Sequence, residues 1–291
     1  MENLLRITKL HPRFGVEIHE VDLRRLTATD GYPAIRQAFE AHSLLLFRDQ
    51  RLDDAAHLAL GGLFGPIEDR SRGKDGPDPT VSRVTNRRED DAIAAEDDQR
   101  TLNLMANQLW HTDSTFLPVP ALANILAARV LSSRGGETEF VSTRAAWQDL
   151  PEGLRAKART AVFRHRYAHS RGKISAALAR EETFTKWPDQ AWKAVWRNPV
   201  TGEEALYLAS HAFAVEGLPE AAGQELIDEL TAFATREGSV YTHAWRQGDV
   251  LIWDERATLH RGRPWPYGEE RTLASICISA RAVDGLDRMR G

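Results

Sequence analysis

Apolar and polar positions along the chain follow two periods, one helical and one of strands. Residues 33–42 (PAIRQAFEAH) carry apolar side chains at helical spacing behind Pro33, which suits a first turn. Ser43-Leu44-Leu45-Leu46-Phe47 is a continuous apolar run, the mark of a buried strand. Asp53 to Phe64 predicts a second helix, with Asp53 or Asp54 near its cap and Gly65-Pro66 ending it. Residues 5–23 predict short strands around a turn at Gly15. Further strands are expected at Thr80 to Val84, 121–131 (ALANILAARVL), 161–169, Ala205–Leu208, Val250–Trp253 and Thr272–Ser279. Helices are expected around 143–149 and 151–159 and from Leu218 to Arg236. Residues 170–196 read as a helical, tryptophan-bearing insert over the core. Residues 69–100 are charged and Gly/Pro-bearing, which suits solvated loop, and a long irregular segment before a site also suits a lid. Many short strands, with helices near the start and in inserts, predict one domain, mainly β with helical insertions, as a sandwich or barrel. There is no βαβ alternation with a Gly-rich phosphate loop and no internal repeat.

The chemistry centres on residues 106–116, Ala-Asn-Gln-Leu-Trp-His-Thr-Asp-Ser-Thr-Phe. Aromatic and β-branched flanks predict a strand, in which residues two apart share a face. His111 and Asp113 would then converge on one point. Joined by a distant second His they make the protein half of a 2-His-1-carboxylate site, which leaves positions open on Fe(II). His260 supplies the second His. It follows the apolar run Val250–Trp253 and is read as lying at a turn before Arg261-Gly262. Eleven residues later Arg271 enters the last apolar strand. A cation there must be paired or serve a ligand anion, and its planar fork suits a carboxylate. A dicarboxylate chelated to iron and held by Arg271, or a structural salt bridge, both fit at this point.

Composition narrows the classes. The 291 residues are 42% hydrophobic, enough for a sizeable core, and a net charge of −4 with pI near 6.2 argues against a nucleic-acid or anionic-membrane surface. The first twenty residues have no apolar core of signal-peptide length, and no run approaches the roughly 18 apolar residues of a membrane span. Cys277 is the single cysteine, so no internal disulfide forms and a reducing cytoplasm is the expected setting. The tryptophan-bearing segment 184–196 reads equally as an interface, hence a homo-oligomer, or as packing inside the monomer.

Taken together, these motifs make the chain resemble a known family. Gln108-Leu-Trp-His111-Thr-Asp113-Ser-Thr-Phe116, Gly135-Gly136-Glu-Thr138-Glu-Phe140, Gly248-Asp249-Val-Leu-Ile-Trp253-Asp254 and His260-Arg-Gly262, with Arg271 beyond, are similar to the Fe(II)/2-oxoglutarate-dependent dioxygenases of the taurine and 2,4-dichlorophenoxyacetate group. The similarity runs from about Arg13 to Arg271. Ala106 to His111, Arg144-Ala145-Ala146, His211 and Val215 to Pro219 resemble its 2,4-dichlorophenoxyacetate branch. The resemblance implies a double-stranded β-helix, or jelly roll. It implies Fe(II) on His111, Asp113 and His260, with 2-oxoglutarate and dioxygen as co-substrates and ascorbate supportive. Arg271 and Thr138 would hold the distal carboxylate of 2-oxoglutarate, Trp253 would line that pocket, and Asn107 would lie near substrate. The implied reaction hydroxylates a small acidic substrate and releases succinate and CO2. For an aryloxyalkanoate it cleaves the ether to a phenol and glyoxylate. A sulfonate or alkyl sulfate substrate, a non-catalytic cupin-like binding domain, and a zinc hydrolase on the same ligands are the competing readings. One departure stands out. The family often carries a second Arg four residues after the 2-oxoglutarate Arg, to pair with the substrate anion, and Ser275 occupies that position here. Arg70, Arg72, Lys74, His211 and Arg281 are the candidate replacements, and solvated surface is the plainer reading of the three loop cations.

Overall fold

The computed structural model describes residues 5–68 and 80–291. In chain order the elements are β1 (Ile7–Lys9), β2 (Val16–Ile18), α1 (Tyr32–His42), β3 (Leu44–Phe47), α2 (Asp54–Phe64), β4 (Ser82–Thr85), α3 (Gln99–Ala106), β5 (Ala121–Val130) and β6 (Thr138–Ser142). Then come α4 (Thr143–Asp149), α5 (Glu152–Thr160), β7 (Val162–His165), α6 (Tyr167–Gly172), α7 (Glu182–Thr185), β8 (Gln190–Lys193), β9 (Val195–Arg197), β10 (Glu204–Leu206) and β11 (Ala212–Val215). The chain closes with α8 (Glu220–Ala234), β12 (Val240–His243), β13 (Val250–Asp254), β14 (Thr258–Gly262) and β15 (Thr272–Ser279).

The fold is a jelly roll with helical decoration. A seven-stranded sheet runs in the order β1-β2-β3-β13-β5-β15-β4, and a three-stranded sheet runs β12-β6-β14. Period-two alternation sorts the central strands into two faces. Leu126 and Ala128 of β5, Leu251 and Trp253 of β13 and Leu273 of β15 pack with Phe140 of β6 between the sheets. Ile125, Val250, Ile252, Ala274, Ile276 and Ile278 pack on the other face under α1 and α2. Both faces are covered, which is why these strands read as unbroken apolar runs. The Asp53 carboxylate caps α2 by accepting from the Ala56 N–H, a contact that contributes about 1 kcal/mol.

The structure revises several local expectations. Residues 106–116 form no strand: α3 ends at Ala106, His111 makes one bridge to His260, and turns follow. Aromatic and β-branched residues report burial, and here the burial comes from a cavity wall rather than from sheet pairing. His260 lies within β14, paired to Phe140 of β6, and is not at a turn. His169 lies in α6, beyond the end of β7. The 170–196 insert is helical only in its first half, because Trp192 and Trp196 sit on β8 and β9. Both indoles are buried in the monomer core, so these two tryptophans pack internally.

Candidate active site

A cavity of about 630 Å³ opens between the two sheets. Its volume lies in the range of small-molecule sites. Three side chains converge at its floor. His111 Nε2 lies 3.6 Å from Asp113 Oδ1, and His260 Nε2 lies 3.7 Å from Asp113 Oδ2. One ligand atom from each of the three lies within 4.8 Å of the other two. The nitrogen–oxygen gaps are too long for hydrogen bonds. They suit donors that share a common cation, so the residues fit a metal.

Local folding sets this geometry. Backbone bonds run both ways between His111 and His260, each N–H donating to the other carbonyl at 2.9 Å. They clamp the turn after α3 onto β14. The His111 Nδ1–H donates to the Leu109 carbonyl at 2.7 Å, which leaves the Nε2 lone pair facing the cavity. Burial pushes the His111 imidazole down and the His260 imidazole down to about 3, so both present neutral rings, the form that binds metals. Behind Asp113 lies a relay that sequence reasoning missed. Ser275 Oγ donates to Asn124 Oδ1 at 2.9 Å, and Asn124 Nδ2 donates to Asp113 Oδ2 at 2.7 Å. Glu255, fully buried, accepts from the Asp113 N–H at 2.9 Å. Burial, and then the Asp113 charge, push the Glu255 carboxyl well above the usual carboxylate range. Such outer partners fix ligand orientation.

A second cluster lies on the same cavity. Arg271 is buried, and burial pushes its guanidinium down to about 10. Its Nη2 donates to the Gly136 carbonyl at 2.6 Å, its plane faces Trp265, and no ion pair joins it to a described residue. An enclosed cation of this kind fits an anionic ligand. Thr138 lines the cavity beside it and accepts from Trp245 Nε1 at 3.0 Å. Trp253 and Asn107 line the cavity too, Trp253 with its ring 4.7 Å from that of His260. Gly136 has φ +73°, and a Cβ there would stand 2.6 Å from Arg271 Nε, so only glycine allows this approach.

His211 also reaches the cavity. It is buried, its ring centroid lies 6.4 Å from that of His111, and its Nε2 has no described partner. Burial, then Arg171 and neighbouring histidines, hold it well below the ordinary value. Arg70, Arg72 and Lys74 lie outside the described residues. Of the 69–100 segment, β4 pairs with β15 at the sheet edge, and Thr80, Ser82, Arg83 and Val84 border the cavity. Arg281 does not line the cavity and pairs with Asp284 at 3.2 Å.

A family profile described as "Taurine catabolism dioxygenase TauD, TfdA family" matches residues 6–277. The chain belongs to that family. It is an Fe(II)- and 2-oxoglutarate-dependent dioxygenase that uses dioxygen, which sets aside the hydrolase and non-catalytic readings. The alpha-ketoglutarate-dependent 2,4-dichlorophenoxyacetate dioxygenase of Cupriavidus pinatubonensis is 32% identical over 269 residues, covering 91% of this chain and 94% of that protein. The alpha-ketoglutarate-dependent sulfate ester dioxygenase of Pseudomonas putida is 33% identical, covering 96% and 91%. The crystal structure of AAD-2 in complex with Mn(II) and N-oxalylglycine superposes with a TM-score of 0.88 at 29% identity, covering 95% of this chain and 98% of that one. No helix among the described residues is long and apolar enough to cross a membrane.

Proposed function

We propose that this dioxygenase oxidises an aryloxyalkanoate, with 2,4-dichlorophenoxyacetate as the representative acid. His111, Asp113 and His260 hold Fe(II), and Arg271 with Thr138 takes the distal carboxylate of 2-oxoglutarate. When bound, the metal with 2-oxoglutarate and dioxygen supplies oxidative decarboxylation to succinate and CO2, coupled to hydroxylation of a substrate C–H bond. The protein supplies geometry and a water-poor enclosure. Leu109 aims the His111 ring, and Asn124 and Glu255 hold Asp113 from both sides. Phe140, Leu126 and Leu273, with Trp253, close the floor to solvent. Hydroxylation of the carbon bearing the ether oxygen gives a hemiacetal, which collapses to a phenol and, from an aryloxyacetate, glyoxylate.

The observation that carries the cofactor half is the enclosed Arg271 cation on the same cavity as the three convergent donors. The aryl half is supported by the stacked Phe116 and Tyr167 rings, 3.7 Å apart, with Phe184 edge-on to Tyr167. An alkyl sulfate or sulfonate is the second reading, favoured by the similarity to the Pseudomonas putida sulfate ester enzyme. Succinate release and oxygen uptake with Fe(II) and 2-oxoglutarate, across aryloxyacetates, aryloxypropionates, hexyl sulfate and taurine, decide between them. Aryloxy acids should couple best and yield phenol. Coupling to hexyl sulfate alone would replace the proposal with the second reading.

A further inference from the structure

Ser275 leaves a substrate anion without the cation that the family often places there, and the cavity shows a replacement. Four described arginines line it: Arg83, Arg171, Arg263 and Arg271. Arg271 is committed to 2-oxoglutarate in the reading above. Arg83 and Arg263 stand at the mouth with side chains 38% and 46% exposed. Arg171, on α6, is buried.

Position matters because of the substrate's own bonds. In an aryloxyacetate the carbon to be hydroxylated is bonded directly to the carboxylate carbon. The anchoring cation must therefore sit beside the metal ligands and not at the entrance. A short chain of ring contacts links Arg171 to that floor. Its guanidinium lies 4.4 Å from the Tyr167 ring centroid, Tyr167 is 5.8 Å from His211, and His211 is 6.4 Å from His111. His211 adds a second polar group there. Its Nδ1 lies 3.4 Å from the Thr115 hydroxyl, while the buried Nε2 has no described partner and can donate to an anion. Arg171 is also held in one orientation. Nε donates to Asn103 Oδ1 at 3.0 Å, Nη1 to Ser170 Oγ at 3.0 Å and Nη2 to the Tyr167 hydroxyl at 3.3 Å. A fixed planar fork loses little freedom on meeting a carboxylate. The neighbouring Phe116 and Tyr167 rings line the cavity and offer an aryl group its apolar wall, with Phe184 packed edge-on against Tyr167.

We propose that Arg171, with His211 beside it, receives the substrate carboxylate and thereby replaces the missing cation at Ser275. This rests on the aryloxyalkanoate reading above. The test compares 2,4-dichlorophenoxyacetate with its neutral carboxamide in wild type, Arg171→Met and Arg171→Lys. Wild type should prefer the acid. Arg171→Met should raise the KM for the acid on the order of 30-fold, as loss of a charge-assisted bond implies, and leave acid and amide nearly equal. Arg171→Lys should restore part of the preference. Equilibrium binding of both compounds to protein loaded with Mn(II) and N-oxalylglycine should show the same ordering without turnover. An acid-over-amide preference that survives in Arg171→Met overturns the inference and leaves the aryloxyalkanoate reading standing. A 2-oxoglutarate KM that rises as far as the acid KM also overturns it, by assigning the damage to the whole site. A wild type that neither binds nor oxidises any aryloxy acid overturns both.

Discussion

Arg256 and Arg271 are both buried guanidinium groups at the ends of apolar strands, yet their surroundings are opposite. Arg256 donates to Asp254 Oδ1 and Oδ2 at 2.9 Å each, to Glu40 Oε2 at 2.7 Å and to the Asp284 carbonyl at 3.3 Å. Glu40 in turn accepts from Asn198 at 2.6 Å and from Arg36 at 2.8 Å. Burial alone would lower the Arg256 pKa, but these carboxylates raise it above the ordinary value. Around Arg271 burial wins, and its guanidinium is pushed down to about 10. A cation enclosed by the protein's own carboxylates is finished scaffold. A cation enclosed without them is the half of an interaction that a ligand completes. Apo stability and ligand affinity should therefore separate between the two positions.

Arg256→Met should give the largest loss. It strands Asp254 as a buried charge and takes from Glu40 one of its two arginines, which costs about 3–5 kcal/mol. Denaturant midpoints measure this, and an unchanged midpoint would mean that the network contributes nothing. Arg271→Met should do the reverse. Removing an uncompensated buried cation leaves the unfolding midpoint unchanged or raised, while the 2-oxoglutarate concentration for half-maximal succinate release rises on the order of 100-fold. In wild type with Mn(II), saturating 2-oxoglutarate at about 100 times its Kd should add about 2.7 kcal/mol of stability. The same concentration should add little to Arg271→Met. If Arg271→Met unfolded the protein and Arg256→Met spared it, the contrast would be inverted.

Much of this architecture is local in the sequence, and so was legible there. The β15 bounds, the helices α1, α2, α4, α5 and α8, and the His111, Asp113, His260 and Arg271 set all come from short periodic runs or spaced motifs. What sequence reading missed depends on register and contact at a distance. Asn124 reaches Asp113 because β5 pairs Asn124 with Trp253 on one side and Cys277 on the other. Arg171 joins no motif, and its place follows from how α6 packs by the cavity. The strand expected at 106–116 failed for a physical reason: Phe116 is buried against Tyr167 and His211, not against a neighbouring strand. A signal for α3 was present in Asp98, whose carboxylate accepts from the Arg100 N–H, followed by helically spaced Thr101 and Leu104. The sequence leaves the tryptophans of β8 and β9 open between an interface and packing inside the monomer, and wrongly suggests a helix for them, because a large aromatic marks burial without naming what buries it. Trp192 spends its N–H on the Thr115 carbonyl at 2.7 Å, inside the monomer.

Gly136→Ala sharpens the contrast at a smaller scale. The φ of +73° costs a non-glycine residue about 1–2 kcal/mol, and the added carbon would press on Arg271 Nε, 2.6 Å away. The guanidinium must then shift. We expect a fall of about 2 kcal/mol in unfolding free energy together with a roughly tenfold higher 2-oxoglutarate requirement. By comparison, Gly153→Ala lies on open space in α5 and should hold or raise stability, by up to about 1 kcal/mol, with the 2-oxoglutarate requirement unchanged. Equal behaviour of the two variants, in denaturation and in succinate titration, would remove the close approach from the account of Arg271.

His57 shows a third way to tolerate burial, which is to give up the charge. It lies in α2, fully buried, with Nε2 bonded to the Ile125 carbonyl at 3.1 Å and no described partner for Nδ1. Burial holds its imidazole at about 4, against the ordinary 6.5. The sign follows from proton counts. Between pH 6.5 and about 4 the unfolded chain carries a proton on His57 that the folded one lacks, so folding weakens as pH falls through that window. The slope attributable to one such group is about 1.4 kcal/mol per pH unit. His165, held at about 3 by burial, adds a parallel slope and makes the total steeper. His57→Gln keeps a donor for Ile125 but cannot titrate. Its stability measured by urea denaturation at pH 6.5, 5.5 and 5.0 should therefore decline less steeply than that of wild type, by about one proton's worth. Contributions from the other histidines cancel in that difference, since both proteins share them. Parallel curves would mean that His57 gains its proton in the folded state at an ordinary pH. The face of the sheet under α2 would then be wetter than the unbroken apolar runs of β5, β13 and β15 imply.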